Sequence, residues 1–209
     1  MDSPDPTAAA GPDAGPAPEL QEDRDAAGIL RRRFRMVGGE LDGVLEEFDA
    51  AGRPVARMTF RRGLLHGPCT IFTAGRPATE MTYADGHLHG EVRSFDPAGR
   101  LTAVTPFLAG KKTGTATILR PDGTVMRSES YLDDQLHGAA VDYHPNGLPQ
   151  REAHYAAGLA QGDLVTYDAA GAVRERVRFK DGLQQGPVQV LSGPGARKSL
   201  RDRLFGAKD

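Results

Sequence analysis

The residues with the strongest claim to chemistry are the histidines. His66, His89 and His137 each stand directly before a glycine, and His87 lies two residues ahead of His89. Regularly placed imidazoles are common material for a metal centre or a proton relay. A zinc ion needs its ligand nitrogens about 2.0–2.1 Å away. If the three positions repeat one hairpin apart along a sheet, they are separated by two strand spacings, roughly 9–10 Å. Such histidines cannot share an ion, and His87 with His89 has no third ligand nearby. They are expected to stabilise turns or to face a partner. Cys69 is the single cysteine of the chain. It has no thiol partner, follows Pro68 in a strand-like run, and reads as a small buried hydrophobe. Gly110-Lys111-Lys112-Thr113-Gly114 has the composition of a phosphate loop without its spacing. Neither a Gly-x-Ser-x-Gly elbow nor a His-Glu-x-x-His motif occurs. The expectation is a chain that is not an enzyme, with no catalytic residue, no cofactor and no metal.

The elements that must position these residues form a repeat. Aligned on an aromatic position, the chain divides at Met36, Phe60, Tyr83, Phe107, Tyr131, Tyr155 and Phe179, in steps of 24 residues with one of 23. A first glycine recurs three places on, at Gly39, Gly63, Gly86, Gly110, Gly158 and Gly182, with Asp134 the exception. A second glycine recurs at seven: Gly43, Gly67, Gly90, Gly114, Gly138, Gly162 and Gly186. A second aromatic column holds Phe48, Phe72, Phe95, Tyr143 and Tyr167, with Leu119 and Leu191 substituting. A third glycine follows at Gly52, Gly75, Gly99, Gly123, Gly147, Gly171 and Gly195. These columns take 20 of the 26 glycines and 11 of the 13 aromatics, so the unusual composition is the repeat itself.

Asp96-Pro97-Ala98-Gly99, Arg120-Pro121-Asp122-Gly123 and His144-Pro145-Asn146-Gly147 carry the chemistry of a hairpin turn that closes with a bulge. The connection through the first and second glycines, as in 83–90, reads as a looser turn into the next hairpin. Each unit is then two short antiparallel strands, and seven units give about 14 strands. A lone hairpin is marginally stable, so stability comes from stacking neighbours. The aromatic columns are expected to form one shared packing ridge. The predicted fold is all-β: a repetitive single-layer antiparallel β-hairpin meander of about seven 24-residue units, with a disordered N-terminal tail and a short C-terminal helix.

The ends differ from the body. Residues 1–28 are rich in Pro and Ala and sum to a charge of −6, while the remainder sums to +4. This acidic segment has little to bury and is expected to stay disordered, as a solubilising leader or an arm that folds back. The repeat domain is assigned to 29–195. Arg31, Arg32, Arg33 and Arg35 are expected to blunt an exposed sheet edge. Residues 196–209 are basic, with apolar positions at helical spacing, and read as a cap helix or tail. With 35 residues before the repeats and 14 after, no catalytic domain is expected. The lone cysteine, the absence of a long apolar stretch and the absence of a signal-like N-terminus point to the cytoplasm. Dispersed arginines and a net charge of −2 argue against nucleic acid.

The pattern aromatic-x-x-Gly-x-x-x-Gly, then a second aromatic and a third glycine, resembles the MORN-type repeat. It is closest to the bacterial variant found in YwqK-type antitoxin-like proteins. The best stretch runs from Asp142-Tyr143-His144-Pro145-Asn146-Gly147 through Tyr155, Gly158, Gly162, Tyr167, Gly171, Phe179, Gly182 and Gly186. The resemblance covers about residues 36–195 and implies a protein-binding module, with a toxin or effector as cognate partner. It also implies an alternative role as a peripheral scaffold contacting membrane lipid. The residues expected to meet a partner are Tyr83, His89, Tyr131, His137, Tyr143, Tyr155 and Tyr167.

Overall fold

The computed structural model describes residues 17–191. It is all-β, a single open antiparallel sheet of 18 strands in meander order among the described residues. The acidic residues 1–16 and the basic residues 192–209 lie outside the described range, and with them the expected C-terminal helix. The chain divides into two compact units at His87 and Leu88. The first holds β1 (Glu19–Arg24), β2 (Leu30–Val37), β3 (Glu40–Leu41), β4 (Gly43–Phe48), β5 (Pro54–Arg61), β6 (Leu64–Thr73) and β7 (Arg76–Ala84). Strand β8 (His87–Leu88) lies at the division. The second unit holds β9 (Gly90–Phe95), β10 (Leu101–Leu108), β11 (Lys111–Lys112), β12 (Gly114–Leu119), β13 (Val125–Leu132), β14 (Gln135–Tyr143), β15 (Pro149–Ala156), β16 (Leu159–Tyr167), β17 (Val173–Lys180) and β18 (Leu183–Val190).

The strand count exceeds the 14 expected from seven hairpins for two reasons. Three strands break just before the second glycine, giving the pairs β3/β4, β8/β9 and β11/β12. The remaining extra strand is β1, and it corrects the assignment of residues 17–28 to a disordered tail. Residues Glu19 to Arg24 pair antiparallel with β2, Gln21 opposite Phe34 and Glu22 opposite Arg33. The arginines expected to guard a bare edge are covered instead. Arg32 bridges Asp23 at 2.5 Å and Arg31 bridges Asp25 at 2.7 Å. The acidic composition of 19–25 is the complement of Arg31-Arg32-Arg33, and the turn between them is a repeat turn. Asp25-Ala26-Ala27-Gly28 matches Asp49-Ala50-Ala51-Gly52 residue for residue, 24 positions earlier.

The two connections are ranked opposite to expectation. The first-glycine connection is the tight one, a two-residue turn with both residues at positive φ, such as Arg62 at 49° and Gly63 at 76°. That is the type I′ geometry whose twist suits a hairpin. Asp133 and Asp134 adopt it without glycine, at 49° and 68°, because a short acidic side chain tolerates the left-handed region. The third-glycine connection is a three-residue loop, as in Ala50-Ala51-Gly52 between Asp49 and Arg53, with the expected bulge. Gly52 N–H donates to Asp49 O at 3.0 Å, Asp49 N–H donates to Arg53 O at 2.8 Å, and the ladder slips between Glu47 and Phe48. In the short unit this loop shrinks to Ala74-Gly75, which removes the missing residue. The second glycine sits in a further bulge, where His66, Gly67 and Pro68 face Thr59 alone.

The aromatic columns do not form one ridge. In β5, Phe60 shares a face with Met58, the partner of Leu45, whereas Phe48 in β4 lies with Glu46 on the other face. In the second unit Tyr131 lies with Glu129, while Tyr143 reaches Ser128 on the opposite face at 3.3 Å. An even spacing along the strands fixes this, and the slip at each loop sends the second column to the far side. Burial follows. No side chain is fully buried; Leu45, Ala56, Cys69, Ala153 and Val165 are the buried residues among those described, all but Val165 on the first-column face.

Candidate protein-binding surface

The histidine column builds a seam between successive hairpins. Each tight turn after the first donates a backbone N–H to a carbonyl of the preceding hairpin, as in Gly63 to Leu41 at 2.8 Å and Gly158 to Leu136 at 2.9 Å. The residue before the second glycine adds a side-chain bond to the same turn. His66 Nδ1 lies 3.1 Å from Asp85 Oδ1, Ala157 N–H donates to His137 Nδ1 at 3.5 Å, and Gln161 Nε2 donates to Asp181 Oδ1 at 2.8 Å. Asp42 occupies the same position and accepts from Arg62 N–H at 3.2 Å. The hydrogen bond from His66 is the main reason that the Asp85 carboxyl is held below the ordinary carboxylate range; Arg61 reinforces it. His66 and His137 are thus turn supports, and His89 is exposed at the equivalent place.

The loop column does the same at the opposite ends of the strands. Asp49, Asp96 and Asp168 each accept two backbone N–H bonds from their own loop and pair with Arg53, Arg100 and Arg174. The backbone bond from the residue four places on, Arg53, Arg100 or Ala172, is the largest cause of their lowered pKa values. Where this column changes type it reaches forward instead. Arg120 donates to the carbonyl of Tyr143, and His144 Nε2 lies 3.1 Å from the carbonyl of Tyr167. Sequence reasoning read Arg120 and His144 only as members of their turns; their position in an aspartate column was the signal for a further role.

The predicted partner-facing tyrosines separate onto two faces. Tyr83, Tyr131 and Tyr155 belong to the first aromatic column, Tyr143 and Tyr167 to the second. All five are half-buried, and several hydroxyls are tied down within the sheet: Tyr131 to Glu129 and Tyr167 to Glu152, both at 2.8 Å. Burial is the first cause that raises the Tyr83, Tyr131 and Tyr167 phenols above their usual pKa. Lys112 covers the Tyr131 ring at 5.2 Å. The second glycines keep the backbone close to these rows: a Cβ on Gly138 would stand 3.1 Å from that of Ser130.

Charge is arranged as cross-strand ladders. On the second-column face of the first unit, Glu46 binds Arg33 with one carboxylate oxygen and Arg57 with the other, at 2.5 and 2.6 Å. Beside them a shallow groove of about 510 Å³ is lined by Leu20, Arg33, Arg35, Gly43, Val44 and Glu46. On the first-column face of the second unit, Arg127 joins Glu129 at 2.6 Å and Asp142 at 3.5 Å. Leucines flank the tight turns of this second unit: Leu108, Leu132, Leu159 and Leu183 are 53, 48, 48 and 70% exposed. Each sits one place outside its aromatic partner or opposite that place, so all four share the second-column face. Sequence reading missed this row because leucine was counted only where it replaced an aromatic.

Cys69 is 4% exposed, and burial pushes its thiol pKa up, away from the reactive thiolate. Gly110 lies in a tight turn and Lys111-Lys112 in the strand beyond it, an ordinary hairpin. Among the described residues no group of three His, Cys, Asp or Glu is placed to hold a metal, and no helix is long and apolar enough to cross a membrane.

No family model and no curated protein matches the chain. Among solved structures, it is similar at 12% identity to TarM, over 43% of this chain and 18% of that one, with a TM-score of 0.32. A mutant S. aureus TarM in complex with fondaparinux, alpha-GlcNAc-glycerol and UDP is 15% identical over 51% of this chain and 21% of that one, TM-score 0.35. A GtfA/B complex bound to UDP and GlcNAc is 14% identical over 54% and 22%, TM-score 0.26. The chain spans about a fifth of the length of these structures, and the likeness is too slight to bear on what the surface binds.

Proposed function

We propose that this chain is a non-enzymatic protein-binding repeat module, of the antitoxin or immunity type that holds a cognate protein partner. The observation that carries this reading is the row of exposed leucines, Leu108, Leu132, Leu159 and Leu183, repeated beside the turns of one unit. Apolar side chains left in water at a fixed structural position mark an interaction surface more than scattered ones do. Half-buried tyrosines and paired arginines nearby supply the polar rim that such interfaces use. The test is affinity purification of the tagged full chain from its native cells, beside the Leu132→Asp and Leu159→Asp variants. A stoichiometric protein partner retained by the native chain and lost from both folded variants is the expected result. Absence of such a protein, or a partner indifferent to both substitutions, would refute the reading. Binding to anionic vesicles in place of a protein would refute it in favour of the lipid-contacting role.

A further inference from the structure

Strand β18 closes the described sheet at one side, and all eight of its residues are exposed. It carries no charged side chain to blunt such an edge, and Pro187 and the bulge opposite Val177 both lie before Val188. β1, the outer strand of the first unit, carries Glu19, Glu22, Asp23 and Arg24, whereas Leu183–Val190 carries no charge and presents Val188 at 47% and Val190 at 72% exposure. The direction of its free backbone groups follows from the register. Leu191 N–H donates inward to Arg174 O, and Arg176 pairs with Gln189. Alternation along the strand then aims the N–H and C=O groups of Val188 and Val190 outward. The repeat shows what such an edge accepts. In β16 the equivalent Gly162, Leu164 and Thr166 take Phe179, Val177 and Glu175 of an antiparallel strand.

The two faces beside this edge have opposite chemistry. On one, Arg174, Arg176, Arg178 and Lys180 alternate along β17, all exposed, next to Gln185 and Gln189 of β18. A groove of about 160 Å³ lies there, lined by Asp163, Arg176, Arg178, Gln185, Pro187 and Gln189. Arg174 and Arg176 are partly met by Asp168 and Asp163, which leaves the comb with net positive charge. On the other face stand Val177, Phe179, Val188 and Val190, with Glu175 opposite Val190.

We infer that the β18 edge is a strand-addition site for an extended partner segment that alternates acidic and apolar side chains. Main-chain hydrogen bonds to Val188 and Val190 hold the segment antiparallel to β18. Its acidic side chains meet Arg176 and Arg178, and its apolar ones extend the Val177–Val188 row. This rests on the proposed protein-binding function and names the chemistry of one partner element.

The probe is a synthetic peptide of roughly nine residues, a normal strand length, alternating Glu and Val. A peptide of the same composition in two blocks and an alternating Lys and Val peptide are the controls. Binding to the full chain is read by fluorescence anisotropy, and amide exchange at Val188 and Val190 by NMR. The alternating acidic peptide is expected to bind more tightly than either control and to slow exchange at those two amides. Val190→Pro removes an outward donor without touching a bond to β17, and weakens binding by about tenfold, the loss of roughly one hydrogen bond. Arg178→Glu weakens the acidic peptide and strengthens the basic one. Equal binding of alternating and block peptides overturns the proposal, as does an unchanged affinity in the folded Val190→Pro variant. Protection of the two amides without peptide overturns it too. Concentration-dependent protection would identify a second copy as occupant, and concentration-independent protection the chain's own residues. Failure here alongside retention of a leucine-dependent native partner removes the edge site and leaves the protein-binding reading standing.

Discussion

At the residue scale, the second glycines separate two physical demands that sequence alone merges. Gly90 and Gly138 have nearly the same backbone, with φ of 100° and 103°, but a Cβ at Gly90 would meet nothing within 4 Å while one at Gly138 meets Ser130 at 3.1 Å. Alanine at either place costs about 1–3 kcal/mol of backbone strain. Gly138→Ala should cost about 1 kcal/mol more than Gly90→Ala, because the neighbouring strand must also give way. Urea unfolding of the two variants measures the difference, and equal losses would mean that the close approach contributes nothing. The glycine columns were legible because each marks a positive φ. Their ranking was not: the short Asp-Gly and Ala-Gly turns lacked the proline that drew attention to the longer loops. Asp134 shows the limit of the signal, since a left-handed residue need not be glycine.

At the element scale, the three-residue loops are held by carboxylates. Asp25, Asp49, Asp96 and Asp168 all have pKa values lowered first by a backbone hydrogen bond within their own loops. A folded-state pKa below the unfolded value means that the stabilisation is fully present above the ordinary carboxylate pKa, near 4, and is lost as pH falls through the folded values. The thermal midpoint should therefore fall between about pH 5 and pH 3. A variant carrying Asp49→Asn, Asp96→Asn and Asp168→Asn keeps the accepting oxygens. It should have a lower midpoint at neutral pH and a flatter acid limb; an unchanged acid limb would show that other groups set the acid sensitivity. Strand existence and loop chemistry were read correctly from these residues. β1 was not, because the composition of residues 1–28 was averaged over a proline-rich stretch and a repeat turn. The matching Asp-Ala-Ala-Gly tetrads at 25–28 and 49–52 held the missing information. The separation of aromatics onto two faces was hidden for a similar reason. It depends on the one-residue slip at each loop, which a count of column spacing does not register.

At the scale of the whole molecule, a single-layer repeat gains stability from each hairpin's neighbours rather than from a common interior. Opening should then begin where a neighbour is missing. Within the second unit, amide exchange is expected to be fastest in β18, which among the described residues pairs only with β17, and slowest in β14–β16, paired on both sides. Hydrogen-exchange mass spectrometry checks this gradient; uniform protection would require a cooperative interior that five buried residues do not supply.

That thin interior has a consequence for how such a sequence can change over time. The fold is specified chiefly by turn residues, bulge glycines and loop aspartates, which occupy a minority of each 24-residue unit. The other positions stand at least partly in solvent on one face or the other, so most of them can be exchanged without opening a cavity. Selection can therefore rewrite the exposed surface nearly letter by letter while the hairpin frame persists. A lineage built this way can shed most of its resemblance to its own ancestors.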